Sequence, residues 1–200
     1  MQVAIVDYAM GNLGSLQALA ARIAQTAVIW RQGELPHGTD WIILPGVGSL
    51  VNAVTELHRR GLANPLERAY RDQIPILGIC LGVQLFFESG EEGGHGLGWL
   101  RGQVPKLAAP KTPHMGWNTV AFRPGTPLAD QFASEPAFYF VHSYSVLPAD
   151  PEVIWGETEY GQRFASVVGQ GALVGAQFHP ELSGAQGRRF IETFVRRVVA

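Results

Sequence analysis

The sequence predicts an α/β fold: a single domain on a mostly parallel central sheet flanked by helices, with an antiparallel extension. Three observations carry this. Up to about residue 90, short apolar runs alternate with segments of helical period, the pattern of β-α units that wind a parallel sheet. From Gly90 to Ala176 glycine, proline and alternating apolar residues dominate, as in antiparallel strands joined by hairpins. The chain then closes on one amphipathic helix. Its 200 residues, 46% of them hydrophobic, suffice for one core, and no repeat, low-complexity tract or long linker divides them. One domain is therefore expected over residues 1–200.

Val3 to Val6 reads as a buried first strand. The next helix is anchored by Leu16, Leu19, Ala20 and Ile23, at i, i+3, i+4 and i+7, the spacing of one buried stripe. Ala27 to Trp30 and the wholly apolar Trp41 to Leu44 read as strands, the latter ending at the turn Pro45-Gly46-Val47-Gly48-Ser49. Helices follow over Leu50–Arg59 and Leu62–Arg71. The strand Ile76–Ile79 runs straight into Cys80 and a helix-like stretch, Leu81 to Phe87. Later strands are expected near Val104 and Thr119, and over Phe138–Val141, Val153–Glu157, Phe164–Val168 and Leu173–Phe178. The last helix starts near Ser183, which stands three residues before Gln186 as in a capping box, and buries Phe190, Ile191, Phe194, Val195 and Val198.

Charge and composition exclude several classes. Fifteen Lys and Arg face 17 Asp and Glu, a net charge of -2, which argues against nucleic acid as the main partner. The pairs Arg59-Arg60, Arg188-Arg189 and Arg196-Arg197 lie in helical stretches and read as solvated faces. Charged residues make up 16% of the chain against about 25% in a typical domain, a hint that another protein covers part of the surface. The longest apolar stretch, Ile74 to Phe87, is broken by Pro75, Gly78, Gly82 and Gln84 and is too short for a membrane helix. A lone cysteine forms no internal disulfide, and residues 1–10 lack a basic segment with an apolar signal core, so a cytoplasmic location is expected. No metal site is expected: one cysteine cannot build a sulfur-rich zinc site, and no histidine pair has the helical spacing of a catalytic one.

Cys80 sits in Gly78-Ile79-Cys80-Leu81-Gly82, between an apolar strand and a helix-like stretch. Glycines two places before and after fit a nucleophile elbow, a sharp turn that lifts the central residue above the sheet. The positive end of the following helix would favour a thiolate there. A lone cysteine in an apolar run is equally compatible with a small buried hydrophobe. Of the six histidines, His179 stands out in Gln177-Phe178-His179-Pro180-Glu181. Pro180 keeps His179 extended, and residues two apart in an extended segment share a side, so Glu181 can accept from the imidazole. Nucleophile, base and orienting carboxylate thus follow in the order Cys80, His179, Glu181. Taken singly, His-Pro-Glu is compatible with a solvated strand end; the elbow changes that balance. An oxyanion would need backbone donors, here the Leu81 N–H and one from the Pro45–Gly48 turn, which is also compatible with a plain strand-to-helix turn. The glycine-rich loop Gly93–Gly98 lacks phosphate-cradle spacing.

The elbow followed by Val83-Gln84, together with His179-Pro180-Glu181, resembles the class I glutamine amidotransferases. Four further segments are similar to one branch of that family, the glutaminase subunits of imidazole glycerol phosphate synthases. They are Asp7-Tyr8-Ala9-Met10-Gly11-Asn12-Leu13, Pro45-Gly46-Val47-Gly48, Pro113-His114-Met115-Gly116-Trp117-Asn118 and Tyr139-Phe140-Val141-His142-Ser143-Tyr144. The resemblance runs from residue 3 to the last helix. It implies that Cys80 attacks the side-chain amide of L-glutamine, that His179 shuttles the proton to the departing ammonia, and that Glu181 holds the imidazole. It also implies substrate contacts at Gly48, Gln84, His142, Ser143 and Tyr144, and oxyanion donors at Val47 and Leu81. Asn12, Trp117 and Tyr139 would face a (β/α)8-barrel cyclase subunit that consumes the ammonia in histidine biosynthesis. No cofactor is implied. Ala9 and Gly14 stand where the branch commonly has Gly and Arg, and Leu182 where it usually has Lys, which removes an ionic contact to the partner there. Because an always-competent glutaminase would waste glutamine, the oxyanion loop is expected to be unformed in the lone chain. Two other readings stay open: a glutaminase serving anthranilate, aminodeoxychorismate or pyridoxal phosphate synthesis, and an inactive amidotransferase-like binding module.

Overall fold

The computed structural model describes residues 1–9, 13–132 and 135–199. In chain order the elements are β1 (Gln2–Val6), α1 (Leu13–Ala20), β2 (Thr26–Trp30), β3 (Trp41–Leu44), α2 (Leu50–Arg59), α3 (Ala63–Arg71), β4 (Ile76–Ile79) and α4 (Leu81–Gln84). Then follow β5 (Ser89–Gly90), β6 (Gly102–Val104), β7 (His114–Thr119), β8 (Ala121–Phe122), β9 (Ala137–His142) and β10 (Leu147–Pro148). The chain ends with β11 (Ile154–Tyr160), β12 (Gln162–Gln170), β13 (Leu173–Ala176) and α5 (Gly184–Phe194), continued by a π-helical turn over Val195–Val199.

The central sheet has eight strands in the order β2-β1-β3-β4-β13-β12-β11-β8. The five strands from β2 to β13 run parallel, and β12, β11 and β8 extend them antiparallel. Successive side chains in a strand point to opposite faces, and both faces are covered, which is why the parallel strands read as unbroken apolar runs. Val3, Ile5, Trp41, Ile43, Leu77 and Ile79 meet Leu16 and Ala20 of α1 and Phe190, Ile191 and Phe194 of α5 on one side. Ala4, Val6, Ile42, Leu44 and Ile76 meet Leu50, Ala53 and Leu57 of α2 and Leu66 and Ala69 of α3 on the other.

Several expectations are revised. The antiparallel extension holds for β8, β11 and β12, but the strands near Val104, Thr119 and Phe138–Val141 leave the main sheet. They form a three-stranded sheet, β10-β6-β5, and a separate ribbon, β7-β9. The ribbon turns Phe138 and Phe140 into the core, with Phe138 stacked on Phe178 at 4.0 Å, so packing across the sheet's end outweighs edge pairing. The stretch Leu81–Phe87 keeps four α-helical residues; the Phe86 and Phe87 N–H groups bond three residues back, tightening the turn before β5. The last central strand stops at Ala176, releasing Gln177 to Glu181 to form the site. Helix α1 ends at Ala20, leaving Ile23 beyond it and half-buried, as are Leu19 and Val198. The capping box does not form. Ser183 Oγ instead donates to the His179 carbonyl at 2.6 Å and accepts from the Tyr139 N–H at 2.9 Å, and Gln186 Oε1 has no hydrogen-bond partner among the described residues.

Candidate active site

Two neighbouring strand ends assemble the site. β4 and β13 lie side by side in parallel register, Ile79 opposite Ala176, and the Cys80 N–H continues the ladder to the Ala176 carbonyl at 2.8 Å. Residues 80 and 177–181, distant in the chain, therefore emerge together at the carboxyl edge of the sheet, where ligands of open α/β folds bind. Cys80 has φ 53°, in the left-handed region that non-glycine residues rarely occupy, as an elbow requires. Gly82 makes that turn possible, since a Cβ there would run into the Leu44 carbonyl. The turn after Cys80 offers fewer aligned peptides than a full helix, so the dipole expected from the sequence contributes less here.

His179 is held on three sides. Its N–H bonds the Tyr139 carbonyl at 2.9 Å, its carbonyl accepts from Ser183, and Nδ1 lies 2.8 Å from Glu181 Oε1. Both side chains are buried. Nε2, the nitrogen left to exchange protons, has no hydrogen-bond partner among the described residues. Burial alone would lower the His179 pKa. Cys80 and the Glu181 carboxylate, both favouring the imidazolium, outweigh it and raise the value to about 10. The arrangement thus supports a cationic His179 imidazolium beside Cys80.

The thiol Sγ lies 3.8 Å from the Val141 carbonyl and 3.7 Å from Gln177 Nε2. Gln177, fully buried, is a site residue that sequence reasoning missed, although its place two residues before His179 on an extended segment signals a shared side. Above Cys80 opens a cavity of about 290 Å³ lined by Val47, Gly48, Leu81, Gln84, His142, Ser143 and Tyr144, as well as Pro113 and Val141. Every substrate and oxyanion residue named from the sequence borders this space. The Leu81 N–H, however, is engaged by the Gly46 carbonyl at 3.3 Å. A trans peptide directs its N–H opposite its C=O, so the Gly46–Val47 peptide points the Val47 N–H away from Leu81. Gly46 is hemmed in, because a Cβ there would collide with the Tyr8 hydroxyl, itself bonded to the Pro45 carbonyl at 2.6 Å.

An apolar rim surrounds the site. Trp117 and Tyr139 are cross-strand partners on β7 and β9, their rings edge to face at 6.1 Å, and Trp117 and Met115 are 59% and 61% exposed. Val47 and Leu182 are also exposed. Asn12 lies outside the described residues. Among the described residues, no helix is long and apolar enough to cross a membrane.

Burial lowers the pKa of His114 and of His142 to about 4. Against an unfolded value of about 6.5, the unfolded chain takes up protons that the folded chain refuses as pH falls from 6.5 to 4, so stability is lost across that window. His179 acts with the opposite sign: its contribution is complete below about pH 6.5 and is lost as pH rises toward about 10. The histidine contribution therefore peaks near pH 6.5. Thermal midpoints between pH 4 and 10 should fall on both sides, and His142→Asn should make the acid limb shallower. An acid limb of unchanged slope in that variant would contradict a neutral, buried His142.

Comparisons with known proteins agree in direction. Residues 6–198 match the family model described as glutamine amidotransferase class-I. The imidazole glycerol phosphate synthase subunit HisH of Methanopyrus kandleri is 46% identical over 196 residues, covering 96% of each chain. The protein of the same name from Moorella thermoacetica is 43% identical over 196 residues, covering 96% of this chain and 93% of its own. Among solved structures, a glutamine amidotransferase crystal structure superposes with a TM-score of 0.78 at 16% identity, covering 98% and 99% of the two chains. PurLQS from Thermotoga maritima gives 0.78 at 17% identity, covering 98% and 97%. At these identities the structural matches establish the fold.

Proposed function

The chain belongs to the class I glutamine amidotransferase family, and on that premise we propose that it is the glutaminase subunit of an imidazole glycerol phosphate synthase. It acts as one domain over residues 1–200, hydrolysing L-glutamine to glutamate and ammonia and passing the ammonia to a cyclase partner in histidine biosynthesis. The observation that carries this is that Cys80, on its strained elbow beneath a cavity of about 290 Å³, acts on His179, whose Nδ1 lies 2.8 Å from Glu181 Oε1.

The geometry supports the following course of reaction. The Cys80 thiolate adds to the side-chain amide carbon of glutamine, and the carbonyl oxygen becomes an oxyanion. Nε2 of the His179 imidazolium gives its proton to the amide nitrogen, the C–N bond breaks, and ammonia leaves a γ-glutamyl thioester on Sγ. Water, losing a proton to the now neutral imidazole, adds to the thioester; the C–S bond breaks, releasing glutamate and restoring the ion pair. Glu181 orients the ring and stabilises its cationic form. Gln84, Ser143 and Tyr144 bind the substrate, and the backbone N–H groups of Leu81 and Val47 receive the oxyanion. The relatives' names as synthase subunits support a partner, and the apolar rim of Val47, Met115, Trp117, Tyr139 and Leu182 fits a docking face for a (β/α)8-barrel cyclase. No reaction step draws on a cofactor, and the setting is cytoplasmic.

The test is isotopic. With amide-¹⁵N glutamine, the chain and the cyclase subunit together should place ¹⁵N in imidazole glycerol phosphate. Transfer to an anthranilate, aminodeoxychorismate or pyridoxal phosphate synthase instead would reassign the pathway, and no release of glutamate with any of them would leave only a binding module.

A further inference from the structure

The polar groups buried beneath the glutamine cavity form one directed chain. It begins on β7, where alternation sends Met115 and Trp117 outward and His114 and Asn118 inward. Asn118 Oδ1 accepts the Thr119 N–H at 2.8 Å, which settles which end of the amide is Nδ2. Nδ2 lies 3.2 Å from His114 Nε2 and 2.9 Å from the Glu159 carbonyl. His114 Nδ1 is 2.9 Å from His142 Nε2, and His142 Nδ1 is 2.8 Å from the Tyr144 carbonyl.

Each link fixes the next. A carbonyl only accepts, so His142 Nδ1 carries the hydrogen and His142 Nε2 accepts. His114 Nδ1 must then donate, and His114 Nε2 accepts from Asn118. The chain exists only while both imidazoles are neutral, in keeping with the downward push that burial exerts on them. The Tyr144 carbonyl is its node: it also accepts from Gln84 Nε2 at 3.0 Å. The same Nε2 reaches Gln177 Oε1 at 3.2 Å, and Gln177 Nε2 reaches Cys80 Sγ. Packing holds the His114 ring in place, stacked against Tyr160 at 3.9 Å and Phe140 at 4.7 Å.

We infer that Asn118, His114 and His142 form a positioning relay for the glutamine subsite: they hold the Tyr144 carbonyl, and through it the Gln84 amide, in the orientation that receives substrate. The inference rests on the glutaminase reading. Its physical basis is the cost of an incomplete buried network. Fully satisfied, the network allows one arrangement; with a donor removed, His142 Nε2 is orphaned and the node can turn.

Asn and Leu have nearly the same shape, and an Asn amide nitrogen falls where the imidazole Nδ1 was. The pair H114N and H114L, at a position outside the cavity lining, therefore separates the donor from packing. Each variant is assayed alone and with the cyclase partner. We expect H114L to raise KM for glutamine about ten-fold, the loss of one well-placed hydrogen bond, with kcat within about two-fold of the parent. H114N should recover most of that loss. A Leu variant with unchanged KM, or Asn and Leu variants equally impaired, would overturn the relay while leaving the glutaminase reading intact. A parent chain that hydrolyses no glutamine in either assay would overturn that reading and the relay with it.

Discussion

Replacing Cys80 by Ala should abolish glutamate release, by about 10³-fold or more, because the nucleophile of the proposed triad is the one member nothing else can replace. Cys80 is the only thiol in the chain, so no neighbour can substitute. The Ser variant is the sharper test. It preserves the shape of the elbow and a hydroxyl beside His179, yet a hydroxyl is far less acidic than a thiol and a far weaker nucleophile toward an amide. Both variants should fold, since the strained φ is set by the surrounding strand and by Gly82, and neither replacement enlarges the side chain beyond the space it has. The measurement is glutamate release by the complex, with the thermal midpoint as a check on folding. A folded Ala variant retaining a tenth of the parent rate would remove Cys80 from the mechanism.

Much of this was legible before the structure, for reasons that particular residues explain. Trp41–Leu44, Leu50–Arg59 and Ile76–Ile79 form their elements at the predicted bounds, because uninterrupted apolar runs and a 3.6-residue stripe each allow one buried arrangement. The placement of Cys80, His179 and Glu181 at one edge of the sheet was readable because each half carries a local signature: two glycines around a cysteine, and a proline that keeps His179 extended. What escaped depends on pairing between distant segments. His114 meets His142 only through the β7-β9 register, which pairs residues 28 apart in the chain. Gln177 carries one local signal, its place two residues before His179, but its contact with Cys80 follows only from laying β13 beside β4. Ser183 resembles a helix cap in sequence, but its hydroxyl is used to tie β9 to the His179 loop. The direction in which the Gly46 carbonyl points is the rotation of one peptide, which composition does not encode.

That rotation leads to the other large effect: partner binding should raise kcat for glutamine by about 10²- to 10³-fold, the value of an oxyanion donor gained. In the lone chain the Leu81 N–H is spent on the Gly46 carbonyl, so this proposed oxyanion donor is not free to receive the charge. Turning the Gly46–Val47 peptide frees Leu81 and aims the Val47 N–H inward, supplying two donors in place of none. The cost is the Leu81–Gly46 hydrogen bond, about 1 kcal/mol, plus the reordering of a loop whose preceding carbonyl is held by Tyr8. A partner seated on the exposed Val47 side chain can meet that cost, because it contacts the residue whose peptide must turn. Activation should fall mainly on kcat, since Gln84 and the Tyr144 carbonyl are already placed in the lone chain. Steady-state glutamate release with and without the cyclase subunit and its nucleotide ligand reads this directly. Equal kcat in the two conditions would mean that the Gly46–Val47 peptide turns without help, and that the gate lies elsewhere.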